Sequence, residues 1–352
     1  MMSFPSTVVR RVFTVSFATL AMSVTPYLTV IAQAVTLNGA GATFPAPLYE
    51  RYIREFQSKN PDITVNYQGI GSGGGRRAMF NGSVDFGGSD AAMTDDEIDK
   101  VHLNRGVLMI PTCGGAVAVV YNVPGVSSGL KLSQSTLASI FSAKITKWND
   151  PKIASANPGV NLPDQPIRLV VRADSSGTTF IFTNALSAMS SAFQGQIGVN
   201  QAPQWAGNPL KGKGNPGVAA TVQQTPGSIG YVEYSYAKQN NLNFAAVQNK
   251  KGEYMLPTLE ATQEALSKVK FPSNFRVFEG NPASGYPIAG MTWMLLYKKY
   301  DAEKLPAIKK WMTWILTEGQ QLNGSLDYIK VPPDVAKRAL DKVNSDIQLW
   351  SK

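Results

Sequence analysis

Thiol and imidazole groups are nearly absent from this chain. It carries one cysteine, Cys113, and one histidine, His102, in 352 residues. A zinc site of the usual type has too few ligands to form, and an internal disulfide has no second cysteine. A nucleophilic serine needs a base beside it. His102 is the only histidine, and it lies in the polar helical run DDEIDKVHLNRG, read as surface. Neither Ser72 nor Ser176 stands in a G-x-S-x-G elbow. Metal-assisted hydrolysis would want clustered carboxylates and histidines, and none is evident. No catalytic residue, metal or cofactor is expected, and the chain reads as a binder rather than an enzyme.

What remains is a set of small hydroxyl residues beside glycines. Ser72 sits in GIGSGGGRR, Thr43-Phe44 in GAGATFPAP, and Ser176-Gly177-Thr178 in RADSSGTT. A glycine-rich loop opening a helix can turn several backbone N–H groups toward an anion. A nucleotide is a poor match. A P-loop needs Gly-Lys followed by Ser or Thr, but Arg76 follows the glycines here, at the wrong spacing. G-x-G-x-x-G can be laid on Gly69, Gly71 and Gly74, but no acidic ribose ligand accompanies it. Each hydroxyl taken alone also fits a plain helix cap. Asp90 alone also fits a solvated turn, and Arg172 an edge-strand charge. Arg76 and Arg77 are read as exposed helix residues.

The elements that must position these groups alternate between strand and helix. A short strand leads to a Gly-rich turn, where Thr43 fits a helix cap with Pro45 and Pro47 near the first turn. Leu48, Tyr52 and Phe56 recur at helical spacing. DITVNYQGIG is extended, and a short helix follows, with Ser72 at its start and Gly82 past its end. Val84 to Gly87 read as a strand ended by Ser89 and Asp90, and Thr94-x-x-Glu97 as a capping box. Ile167 to Arg172 read as a strand, ADSSG as a turn, and Phe182, Leu186 and Met189 as one helix face. Cys113 lies in the strand-like MIPTCGGAVAVVYN and reads as a buried small residue. In open α/β sheets, ligands bind beyond the carboxyl ends of strands. Several small-hydroxyl helix starts therefore suggest convergence on a small tetrahedral anion.

The N-terminus reads as a leader. Arg10 and Arg11 precede a long apolar stretch ending at Ala32-Gln33-Ala34, and no charge recurs until Glu50. This is the pattern of a secretory signal peptide cleaved after Ala34. An uncleaved anchor and a twin-arginine leader are weaker readings of the same residues. Removing residues 1–34 takes the formal charge from +9 to +7, a moderately basic surface that could steer anions inward. The charge forms no tail or stripe, so no nucleic-acid partner is expected.

The stretches GAGATFPAPLYERY, VNYQGIGSGGG, VDFGGSDAAMTDDE, VRADSSGTTFIFTNAL, GKGNPGVAATVQQTPGSIGYVEYSYAKQNNL and YPIAGMTWMLLYK resemble the periplasmic phosphate-binding protein (PstS) family of the high-affinity phosphate ABC transporter. The resemblance runs through the chain after the leader in the family's order, and is less distinctive at 95–108 and 242–284. It implies an α/β protein of the two-lobed periplasmic binding protein fold (type II), with hinge strands and the ligand in the cleft. Lobe I would hold residues 35–122 and 287–352, and lobe II residues 123–286. It implies phosphate ligands at Thr43, Phe44, Ser72, Asp90, Arg172, Ser176, Gly177 and Thr178, with Asp174 pairing the arginine. Ser175 departs from a frequent family glycine and adds a β-carbon to a tight turn. The implied partners are inorganic phosphate and an inner-membrane ABC permease, in the periplasm, for a protein expected to be a monomer. A carboxylate at Asp90 facing an anion is favourable only if the anion brings a proton, as phosphate does and sulfate at neutral pH does not. A binder of another oxyanion and a secreted phosphatase are the alternatives, and a structural or adhesive second use is not addressed by the sequence.

Overall fold

The structure, a computed structural model, describes residues 1–3 and 34–350. The leader expected at 1–34 falls almost wholly outside the described residues. Strand β1 (Val35–Gly41) lies between β2 (Ile63–Gly69) and β3 (Phe86–Ser89), parallel to both. Strand β4 (Val107–Asn122) is long and almost wholly buried. Strands β5 (Arg168–Arg172), β6 (Leu210–Gly212) and β7 (Ser228–Glu233) form a second parallel group, with β5 in the middle. With β8 (Ala289–Tyr297), they join in one sheet of order β2-β1-β3-β8-β4-β7-β5-β6.

Two antiparallel strands knit the parallel groups together. β4 pairs β8 through Ala116, then pairs β7 from Val117 onward. The partner switch lies between the two parallel groups, so β4 runs from one group into the other. Cys113 is buried in β4, as its apolar surroundings suggest.

Helices follow the parallel strands. α1 (Ala46–Lys59) has a proline in its first turn, where a missing N–H does no harm. It buries Leu48, Tyr49, Tyr52 and Phe56 along one face. Tyr52 and Phe56 meet Trp311 and Trp314 edge-on. Thr43 does not cap α1; Pro45 holds that place, and the Thr43 hydroxyl is engaged elsewhere.

α2 (Ser72–Asn81) ends at Gly82 in the left-handed conformation. The expected strand at 84–87 begins instead at Phe86, because β3 pairs with β1 and β8 only from there, while Asp85 accepts the Asn38 N–H at 2.8 Å. Thr94 and Glu97 form the expected capping box. α3 (Gly177–Met189) follows β5 and is capped by Ser176, whose Oγ accepts the Thr179 N–H at 3.0 Å. α4 (Gly214–Gln224) follows β6.

The run of glycines at α2 is a packing device. A β-carbon on Gly75 would stand 2.6 Å from the Gly41 Cα, so only glycine lets the helix touch β1. Gly71 takes φ +84°, and a β-carbon there would overlap the Asp174 carboxylate.

Candidate anion site at the carboxyl ends of six strands

The carboxyl ends of β1, β2 and β3 face those of β5, β6 and β7, and the expected site residues gather between them. Thr43, Ser72, Asp90, Arg172, Ser176 and Thr178 are all buried. They are drawn together by hydrogen bonds that cross from one lobe to the other.

Each of the hydroxyls accepts at least one hydrogen bond from an N–H group. Thr43 Oγ1 accepts from the Asn215 N–H at 3.1 Å and from Asn215 Nδ2 at 2.9 Å. Ser72 Oγ accepts from the Asp90 N–H and the Gly177 N–H, each at 3.1 Å. Thr178 Oγ1 accepts from Asn215 Nδ2 at 3.1 Å, and Ser176 Oγ from Thr179. A hydroxyl has one hydrogen and two lone pairs. For Thr43 and Ser72 both lone pairs are engaged, which leaves each only its hydrogen to offer; that of Thr43 can serve a guest, while the Ser72 hydroxyl also faces the Asp90 carboxylate.

Arg172 and Asp174 form a two-pronged pair. Nε donates to Oδ1 at 2.9 Å and Nη2 to Oδ2 at 2.5 Å. Asp174 Oδ1 also accepts the Gly214 N–H at 2.9 Å. Burial by itself would raise the Asp174 pKa, but hydrogen bonds and charge from Arg172 outweigh it and hold the carboxyl below its ordinary range. Arg172 Nη1 is buried and has no protein partner. A desolvated guanidinium N–H group of this kind is costly unless an acceptor meets it.

Asp90 is the one acceptor in this ring of donors. Its Oδ1 accepts the Thr292 hydroxyl at 2.7 Å. Burial pushes its pKa up to about 7, against the opposing pull of Thr292, Arg172 and Ser72. Gly177 lies tight against it: a β-carbon there would stand 2.5 Å from Asp90 Oδ2 and from Ser72 Oγ.

Phe44 points its ring into the core, edge-on to Tyr328, whose hydroxyl donates to the Phe44 carbonyl at 2.7 Å. The β-carbon of Ser175 is accommodated without a left-handed backbone. Its carbonyl accepts the Gly73 N–H at 3.0 Å, and Gly73 leaves room for the serine.

Arg76 does not follow the surface expectation. It is buried, donates to Gln201 Oε1 at 2.7 Å and lies 3.6 Å from Glu97, while Arg77 is exposed. Asn215 and Thr292 hold site residues in place, yet sequence reasoning passed over both. The only signal for Asn215 was its place after Gly214 at another strand–helix junction. Glu233, at the end of β7, is buried with Oε2 2.8 Å from the Tyr328 hydroxyl oxygen, and its pKa is raised to about 8 by burial. Among the described residues, no group of three or more His, Cys, Asp or Glu could hold a metal ion.

Two lobes closing on a ring of donors with one acceptor define a solute-binding protein, and a family model described as a PBP superfamily domain matches residues 29–318. The phosphate-binding protein PstS of Pasteurella multocida is 38% identical over 314 residues, covering 87% of this chain and 89% of its own length. That of Haemophilus influenzae is 38% identical over 326 residues, covering 91% and 95%. A solved high-affinity periplasmic phosphate-binding protein (PfluDING), bound with phosphate, superposes with a TM-score of 0.72 at 22% identity, over 86% of this chain and 92% of that one. The chain belongs to the PstS family of phosphate-binding proteins.

Proposed function

We propose that this protein captures inorganic phosphate between its lobes and delivers it to an ABC-type import permease. The observation that carries this is the polarity of the site: donors all round, and one carboxylate, Asp90, to receive a hydrogen. Thr43, with its N–H and that of Phe44, would hold oxygen from one lobe together with the Ser72 hydroxyl. Arg172, Ser176, the Gly177 N–H and Thr178 would hold it from the other, with Asp174 bracing the arginine. Asp90 would accept the proton that phosphate carries. The names of the relatives point to the same anion.

Capture and release need no bond made or broken, so no catalytic step is assigned. The lobes are taken as residues 35–122 with 287–352, and 123–286. On this reading the protein works in the periplasm, as a monomer, after its leader is cleaved following Ala34. Among the described residues, no helix is long and apolar enough to cross a membrane.

Titration calorimetry at pH 8 with phosphate, arsenate and sulfate tests the proposal. Phosphate should bind roughly 10⁴-fold tighter than sulfate, the scale reached by sites that demand a specific hydrogen bond. Phosphate binding no tighter than sulfate would remove the reading.

A further inference from the structure

We propose that Asn215 is a positioning residue of the anion site: lobe closure brings it onto Thr43, turns Thr43 into an obligate donor and orients the Thr178 hydroxyl. The inference rests on the phosphate reading above and deepens it.

The orientation of the Asn215 amide is settled by its surroundings. Oδ1 accepts the Glu233 N–H at 2.9 Å. The reverse orientation would set an NH₂ group against that N–H, donor to donor. Nδ2 therefore points at the threonines, with one hydrogen for Thr43 Oγ1 at 2.9 Å and one for Thr178 Oγ1 at 3.1 Å. The backbone N–H of Asn215 fills the second lone pair of Thr43 at 3.1 Å. The side chain is buried and every one of its hydrogen-bonding groups is engaged.

The consequence is chemical selection. Thr43, with both lone pairs filled, can only donate and needs a guest oxygen with a free lone pair, whereas ionised Asp90 needs one that bears a hydrogen. A guest must present both kinds at once, as monobasic and dibasic phosphate do.

The same turn serves the arginine. Gly214 takes φ +66° and its N–H donates to Asp174 Oδ1 at 2.9 Å. Gly214 and Asn215 thus brace the cationic and the hydroxyl sides of the site from adjacent positions. Thr43 and Asn215 lie 172 residues apart and on opposite lobes, so the donor state of Thr43 is completed only when the lobes meet.

A double-mutant cycle tests this by phosphate calorimetry on the mature protein. Asn215→Ala should weaken phosphate binding about 10- to 100-fold, the scale of losing partners in a buried hydrogen-bond network. In a Thr43→Val background the same change should cost several-fold less, because the hydroxyl it orients is gone. A merely structural role predicts equal losses in both backgrounds, and that result overturns the proposal. Asn215→Asp keeps an acceptor for the Glu233 N–H but replaces the donor with an acceptor, so it should also lose at least 10-fold with the thermal midpoint near that of the parent. If the alanine variant does not fold, the aspartate variant decides, and parent-like phosphate affinity in it overturns the proposal. Failure of the parent to bind phosphate would instead remove the phosphate reading itself.

Discussion

On the phosphate reading Asp90 is the side chain that discriminates between anions, and its behaviour follows from burial. The groups facing it are the Arg172 guanidinium, the Asp174 carboxylate and the hydroxyls of Ser72 and Thr292. Burial raises its pKa to about 7 against the opposing pull of Thr292, Arg172 and Ser72, so the carboxyl is ionised at pH 8 and protonated at pH 5.5. Ionised, it meets the bare oxygens of sulfate lone pair to lone pair. Protonated, it becomes a donor and can hydrogen-bond sulfate. Sulfate affinity should therefore rise as pH falls through about 7, by up to about 10-fold per pH unit until the carboxyl is fully protonated. Asp90→Asn presents an amide donor at every pH, so its sulfate affinity should be higher at pH 8 and nearly flat below it. Competition titrations at pH 8 and 5.5 on both proteins check this. A flat parent, or a variant with the parent's slope, would show that Asp90 is not the discriminating group.

At the scale of elements, the site depends on how closely α2 approaches β1. Gly75 permits that contact, since its β-carbon would meet the Gly41 backbone at 2.6 Å. A β-carbon on neighbouring Gly74 would meet only the Ile70 side chain, which can move. Gly75→Ala should therefore cost about 1–3 kcal/mol of stability, the scale of overpacking, and about 10-fold in phosphate affinity as Ser72 shifts. Gly74→Ala should cost clearly less in both. Chemical denaturation and calorimetry compare the pair, and equal effects would mean that helix–strand contact does not place Ser72. The local parts of this arrangement were legible in the sequence. Ser176 caps α3, Gly82 ends α2, and Thr94 and Glu97 form their box because each signal lies within a turn or two of what it controls. Thr43 misled because its cap-like position is overridden by Asn215, which is distant in sequence. Thr292, which orients Asp90, lies 202 residues away, and no local periodicity could join them. The order of strands across the sheet is set by the same kind of long-range pairing, so the two-lobed division came from family resemblance and not from pattern.

At the scale of the molecule, hydrogen bonds join the β1–β3 side of the site to the β5–β7 side. Gly73 N–H meets the Ser175 carbonyl at 3.0 Å, and the Tyr236 hydroxyl donates to the Thr43 carbonyl at 2.7 Å. These bonds lie at or beside the proposed site, so changing their residues would disturb binding and closure together. Arg76 is different. It reaches from α2 to Gln201 at 2.7 Å and is not among the proposed anion ligands. Burial lowers its pKa, with the Glu97 carboxylate acting against that shift. Breaking the link should shorten the lifetime of the closed form without altering what the site recognises. Arg76→Ala is expected to release phosphate about 5- to 10-fold faster, as loss of one charge-assisted hydrogen bond implies. Its association rate should change little, because affinity differences within one interface lie mostly in dissociation. The ratio of phosphate to sulfate affinity should stay at the parental value. Stopped-flow release measurements with a phosphate trap, run beside the sulfate competition, separate the two effects. An unchanged release rate would mean that Arg76 does not latch the lobes, and a shifted ratio would place it within the recognition site.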